Sequence, residues 1–182
     1  LPDFDPNKRE NIKDKNYINK ITKGVYELGS VFKTFTLAAA LDENLIEVDT
    51  KFIDLEKSIN CGNNTIREYD KKIPKDLTAE EILIRSGNIG SVRIGQKIGV
   101  EKFKDFLTKI NVINKIEFDI DEIGIPISFK WGKCKLATTS FGHGITTTPL
   151  QLAKGYAIVV NGGFDVNPTI IRKKNDNLIK YK

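Results

Sequence analysis

Apolar and polar positions change their spacing several times along the chain, and each change predicts an element. From Ser30 the run SVFKTFTLAAALDENL is rich in helix formers and predicts a helix ending near Asp42–Asn44. From Glu47 to Tyr69, β-branched and aromatic residues are interrupted by CGNN, which predicts a small hairpin. At Thr78 the sequence TAEE reads as a capping box, in which the Thr78 hydroxyl accepts from the Glu81 amide while Glu81 reaches back; this helix is short and stops around Arg85 or Ser86. Beyond Asn88, apolar Ile89, Val92 and Ile94 lead to a stop at Gly99, after which Val100, Phe103, Phe106, Leu107 and Ile110 recur at the spacing of an amphipathic helix. Alternation between Ile116 and Trp131 is imperfect and predicts loop with short strand pieces. The last helix opens at TPLQLA, with Thr148 as N-cap, Pro149 at the first helical position and Gln151 closing a second capping box, and it ends at NGG. The opening LPDFDPNKRENIKDKNYINK holds turn formers and charges without a sustained period and reads as loop with at most a short strand end. Helices and hairpin pieces interleave without a βαβ rhythm, so the fold class expected is α+β.

Composition narrows the classes of function. With 182 residues and 40% apolar content, the chain is long enough for one domain with a sizeable core. Its 29 basic and 24 acidic residues give a net charge of +5, but the lysines are scattered among Glu and Asp. No basic stripe with interleaved aromatics stands out, which argues against a nucleic-acid partner. The absence of Met leads to the expectation that a segment has been removed upstream and, with it, a possible membrane anchor. Within the chain no run of 18 apolar residues would span a bilayer, and no signal-peptide pattern opens it. Cys61 and Cys134 form no C-x-x-C, and with a single histidine a Cys/His zinc site is implausible. The two cysteines are expected to be small buried hydrophobes, with a disulfide left open.

The informative oddity is Lys33, whose helical neighbours are Val31, Phe32, Phe35, Leu37 and three alanines. A lysine is seldom buried without a partner, and the plain alternative is a side chain that snorkels from the helix edge. Ser30 lies three residues earlier, so its hydroxyl projects from nearly the same face. A serine hydroxyl needs a neighbouring base to become a nucleophile, whereas an ordinary lysine near pKa ~10.4 is protonated at neutral pH. Burial lowers a lysine's pKa by up to ~3 to 5 units, and the positive end of a helix acts in the same direction. Lys33 is therefore expected to accept the proton of Ser30, with the Ser30 backbone N–H as one oxyanion donor.

S-x-x-K occurs once, but four-residue patterns are weak by themselves. A second element of such machinery, S-x-N, occurs twice, as Ser58-Ile59-Asn60 and Ser86-Gly87-Asn88. The first precedes the predicted hairpin turn and reads as a decoy. The second sits between two helices, where its side chains can act as polar relays and substrate contacts, or equally as helix caps. A Ser-His-Asp hydrolase would rest on His143, yet SFGHG is not a G-x-S-x-G elbow, and His143 reads as structural. Asp119, Asp121 and Glu122 lack the spacing of a calcium loop and read as solvated charge.

With Ser30, Lys33, Ser86 and Asn88 identified, the chain resembles the transpeptidase domains of class B penicillin-binding proteins. YELGSVFKTFTLAAAL is similar to that family's Tyr-Glu-Pro-Gly-Ser-x-x-Lys segment, SGNIG to its S-x-N segment, and ATTSFGHGITTTPLQLAKGYAIVVNGG to the Gly-rich turn and helix of division-type members. The resemblance implies a partial transpeptidase domain over residues 1–182, of the β-lactamase/transpeptidase-like α+β class, with helices packed on an antiparallel sheet. It implies a peptidoglycan D,D-transpeptidase in which Ser30 attacks the penultimate carbonyl of stem peptides ending in D-Ala-D-Ala, and β-lactam antibiotics acylate the same serine. Ser86 and Asn88 carry over as proton relay and substrate contact. No cofactor or metal is implied. Location on the periplasmic side of the bacterial inner membrane and partners among other cell-wall and division membrane proteins are further implications.

Two departures stand out. Leu28 replaces the usual proline before Gly-Ser, and no K-T-G occurs. In the family K-T-G follows the NGG region, so the chain is expected to stop before it and to be inactive or weak as it stands. The rival expectations are a degenerate scaffold domain of a cell-wall complex and a β-lactamase-like hydrolase or β-lactam sensor.

Overall fold

The computed structural model describes residues 5, 7, 17–62 and 64–172. Most of the opening segment expected to be loop, and Asn63 of the CGNN turn, lie outside the described residues. The chain divides into two compact units, one of residues 27–109 and 128–145 and the other of residues 1–26, 110–127 and 146–182.

The first unit begins with one 3-10 turn at Gly29–Phe32, which runs directly into α1 (Lys33–Asp42). Four short strands and two helices follow: β1 (Lys51–Phe52), β2 (Ser58–Cys61), β3 (Asn64–Arg67), β4 (Leu77–Thr78), α2 (Ala79–Ile84) and α3 (Asn88–Ile98). The unit is completed by α4 (Val100–Lys109) and α5 (Lys133–Thr139). β2 and β3 form the predicted hairpin, with Ser58 opposite Arg67, and β1 pairs antiparallel with β4. The α+β class expected from the sequence is therefore what the structure has, its sheet consisting here of two-stranded antiparallel ladders.

The apolar spacing explains the packing. α1 packs against α3, with Phe35, Ala39 and Ala40 of α1 and Ile89, Val92 and Ile94 of α3 all buried, and α2 packs on both helices, its Ile82 lying against Gly90 of α3. Phe32 and Phe35 meet edge to face at 5.5 Å between ring centroids, a geometry that adds to their area burial. Gly95 of α3 is a contact glycine: a Cβ there would lie 1.9 Å from Ser140 Oγ, just beyond α5. Ser140 is also tied to α1, because the Thr36 hydroxyl donates to its carbonyl at 2.9 Å.

The capping box at Thr78 forms as predicted, and Gly99, at φ +82°, ends α3. Other expectations change. Residues 116–131 contain no strand among the described residues, since the backbone there is carried by isolated turns and bends. α5 has too short an apolar face, KCKLATT, to announce itself by period. Cys61 and Cys134 are not small core residues: they are joined in a disulfide that links the hairpin end to the first turn of α5, and Cys134 is exposed.

The second unit contains α6 (Pro149–Val160), whose Thr148 and Gln151 form the expected capping box. Side chains bonded to loop carbonyls hold it together. Thr147 Oγ1 donates to Val112 O at 2.6 Å, Thr22 Oγ1 to Glu122 O at 2.6 Å, and Gln151 Nε2 to Asn114 O. Asp119 and Glu122 are not merely solvated: Asp119 Oδ2 accepts from the Ile170 amide at 2.6 Å and Glu122 Oε1 from the Asn19 amide at 3.1 Å. No helix among the described residues is long and apolar enough to cross a membrane.

Candidate active site

Ser30, Lys33, Ser86 and Asn88 all belong to the first unit. Ser30 and Lys33 are linked through the backbone, the Lys33 N–H donating to Ser30 O. That i to i+3 bond is the 3-10 pattern, in which side chains three residues apart eclipse, so the two project from the same face more closely aligned than on an α-helix. Ser30 is exposed, while Lys33 retains only 2% of its surface. Burial therefore separates the roles: an accessible hydroxyl beside a shielded amine.

Lys33 does not snorkel. Its Nζ donates to Ser86 O at 2.5 Å, Ser86 Oγ at 2.8 Å and Asn88 Oδ1 at 2.7 Å. An ammonium has three N–H groups, and here each has an acceptor. Desolvation by burial pulls the Lys33 pKa down from 10.5 to about 8, and the nearby Glu68 carboxylate opposes part of that fall.

The junction between α2 and α3 supplies the acceptors through an unusual backbone. Ser86 has φ +52°, in the left-handed region that non-glycine residues seldom occupy, and this conformation directs its carbonyl and its hydroxyl at one nitrogen. Neither Ser86 nor Asn88 caps a helix by its side chain. The N-cap of α3 is Gly87, and the cap is supplied from twenty residues away, where Glu68 accepts from the Asn88 amide at 2.7 Å through Oε2 and from the Ile89 amide at 2.9 Å through Oε1. Asn88 Nδ2 donates to Arg67 O at 2.9 Å, which fixes the amide orientation and turns Oδ1 toward Lys33. The other S-x-N copy lies in β2, with Ser58 and Asn60 exposed and Asn60 Oδ1 accepting from Thr65.

A further contact places the turn that carries Ser30. Gly29, at φ +66°, lies against Gly142 of the SFGHG segment so closely that a Cβ on Gly142 would sit 1.8 Å from Gly29 O. His143, exposed, lies tilted against Phe141 in the SFGHG segment, with 4.7 Å between ring centroids. Sequence reasoning missed Glu68, Arg67 and the Gly29–Gly142 approach. For Glu68 no local signal exists, because it is one acidic residue after a strand and acquires its partners only when the hairpin meets α3.

The Penicillin binding protein transpeptidase domain family matches residues 1–182. The chain is 32% identical over 173 residues to the probable peptidoglycan D,D-transpeptidase FtsI of Caulobacter vibrioides, which covers 94% of this chain and 29% of that protein. It is 29% identical over 183 residues to stage V sporulation protein D of Bacillus subtilis, covering 98% of this chain and 28% of that protein. The chain thus spans less than a third of the length of these relatives. Its fold is similar to that of a peptidoglycan glycosyltransferase from Burkholderia ambifaria, with a TM-score of 0.82 and 24% identity over 92% of this chain and 53% of that one. The transpeptidase domain of Burkholderia pseudomallei penicillin-binding protein 3 is similar with a TM-score of 0.78 and 22% identity, over 86% of this chain and 48% of that one.

Proposed function

The chain belongs to the penicillin-binding protein transpeptidase domain family, and on that footing we propose that its protein is a serine peptidoglycan D,D-transpeptidase with Ser30 as nucleophile and Lys33 as base. The observation that carries this reading is the buried Lys33 amine, one 3-10 turn from an exposed serine hydroxyl and held by Ser86 and Asn88.

With a pKa of about 8, roughly a tenth of Lys33 is neutral at pH 7. The neutral amine has one donor fewer and a free lone pair, so it can take a proton from Ser30 directly or through Ser86 Oγ. Ser30 Oγ then bonds to the penultimate D-Ala carbonyl carbon of a stem peptide. The Ser30 N–H, one of the amides at a helix start that have no intrahelical partner, stabilises the oxyanion. Collapse of the tetrahedral intermediate breaks the C–N bond, and the proton held at Lys33 leaves with the terminal D-Ala amine. An amine from a neighbouring strand attacks the acyl-serine, gives up its proton along the same path, and restores the Ser30 hydroxyl. A β-lactam carbonyl enters the first half of this sequence and stays on Ser30. The disulfide between Cys61 and the exposed Cys134 supports an oxidising compartment, in keeping with the periplasmic side of a bacterial inner membrane.

The test is mass spectrometry of the full-length protein after exposure to benzylpenicillin. One penicillin mass is expected on the peptide containing Ser30, and Ser30→Ala is expected to abolish it. The acylation rate should rise with pH, because the base form of Lys33 is the active one, with a midpoint near about 8. A folded full-length protein that takes up no penicillin overturns the proposal in favour of a non-catalytic scaffold.

A further inference from the structure

The hairpin end does more than close α3. Glu68 is half-buried, and its two carboxylate oxygens are divided between the amides of Asn88 and Ile89, while the carbonyl of its neighbour Arg67 holds the Asn88 side-chain amide. One acidic residue is thereby bonded to the backbone of the same Asn88 whose Oδ1 accepts from Lys33 Nζ. We propose that Glu68 is a positioning residue for the Ser30–Lys33 chemistry: its carboxylate sets the Asn88 end of α3, with the acceptor that Asn88 carries, against Lys33 and places a negative charge beside that site. This inference rests on the transpeptidase reading for its catalytic meaning, though not for its electrostatic content.

The surrounding charges leave that role to Glu68. On the elements packed around Lys33, Glu81 of α2 is engaged in its capping box, Arg93 of α3 pairs with Glu56 at 2.5 Å, and Lys97 lies over the Phe52 ring. Lys102 of α4 pairs with Glu43 at 2.6 Å. On its outer side Glu68 borders a groove of about 410 Å³ that also holds the charged side chains of Lys57, Arg67, Asp70, Lys71 and Lys75. Of all these groups, Glu68 is the charge that acts on Lys33, and it acts to raise its pKa against the desolvation that lowers it. The arrangement carries an internal opposition: the group that assembles the acceptors of the ammonium also makes that ammonium harder to deprotonate. Construction of the site and readiness of its base are tuned by one residue.

The sign of the effect follows directly. A carboxylate near a lysine stabilises the charged form, so removing the charge lowers the Lys33 pKa and moves the rise of acylation to lower pH. In the full-length protein, Glu68→Gln replaces two carboxylate oxygens by one carbonyl oxygen and removes the charge. Its pH–rate profile for penicillin acylation is expected to shift to lower pH with a reduced plateau. Glu68→Asp, which keeps the charge but withdraws the carboxylate from α3, is expected to reduce the plateau and leave the rise where it is. A Glu68→Gln profile that falls uniformly without shifting, or an Asp profile that shifts as the Gln profile does, overturns the proposal by showing a purely structural role. The Lys33 resonance in protein labelled with 13Cε-lysine, assigned by its loss in Lys33→Arg, gives the titration without any reaction. A Lys33 titration at lower pH in Glu68→Gln than in the parent, even in a protein that proves unreactive toward penicillin, supports the inference while sinking the transpeptidase reading; an unmoved titration sinks the inference alone.

Discussion

The same three-residue pattern occurs twice in this molecule with opposite outcomes. Ser58-Ile59-Asn60 lies in β2, where residues two apart share a face, and that face is solvent. Ser86-Gly87-Asn88 spans the turn between α2 and α3, where a left-handed Ser86 and a helix-start Asn88 converge on a buried ammonium. Composition and spacing are identical in type; backbone conformation and the partner across the gap are not. A short polar motif thus acquires its partners from the turn that bends it and from the charge it meets.

The comparison can be broken or sharpened by experiment. The largest expected effect concerns the hairpin that carries the strand copy. It is pinned to α5 by the Cys61–Cys134 disulfide across 73 residues, and closing a loop of that length restricts the unfolded chain by about 4 kcal/mol. Replacing both cysteines by serine is expected to lower stability by that order in equilibrium denaturation, and an unchanged midpoint would show that non-covalent contacts alone hold the hairpin.

Next in size is the direct contrast between the two asparagines. Asn88→Ala removes the side chain that orients Lys33 and, on the proposed reading, contacts the substrate; if that positioning amounts to about 1.5–3 kcal/mol in the transition state, penicillin acylation is expected to slow by roughly 10- to 150-fold. Asn60→Ala loses an exposed bond to Thr65 and is expected to leave the rate within about twofold, since surface changes are usually within ±0.5 kcal/mol. Equal losses would erase the distinction between the copies.

The smallest effect is a difference in pH. Asn88 Oδ1 accepts from the ammonium and so favours it, hence its removal should move the rise of acylation below the parent midpoint near about 8, while the Asn60 variant keeps the parent profile. A shift in the Asn60 variant, or none in the Asn88 variant, contradicts the assigned contacts.

Much of the fold was legible along the chain because its signals are local. Thr78 with Glu81, Thr148 with Gln151, and the stop at Gly99 are written within single turns, and each forms as its side chains dictate. α5 escaped notice because seven residues carry little periodicity, and the disulfide stayed an open alternative because nothing near either cysteine points to the other. The proximity of Ser30 and Lys33 was legible too, although the 3-10 turn aligns them more tightly than the expected α-helix would.

By itself, then, the sequence determined most of the elements, a serine and a lysine on one helix face, and a pool of two candidate partner motifs. Tertiary structure alone decided which motif met the lysine, that Glu68 rather than Ser86 or Asn88 closes α3, and that the Lys33 amine would be stripped of water. The physical reason is one of range. Capping and helical spacing are satisfied within about a turn, whereas desolvation and charge at Lys33 depend on groups 35 to 55 residues away, brought close only when α1, the hairpin and α3 pack together.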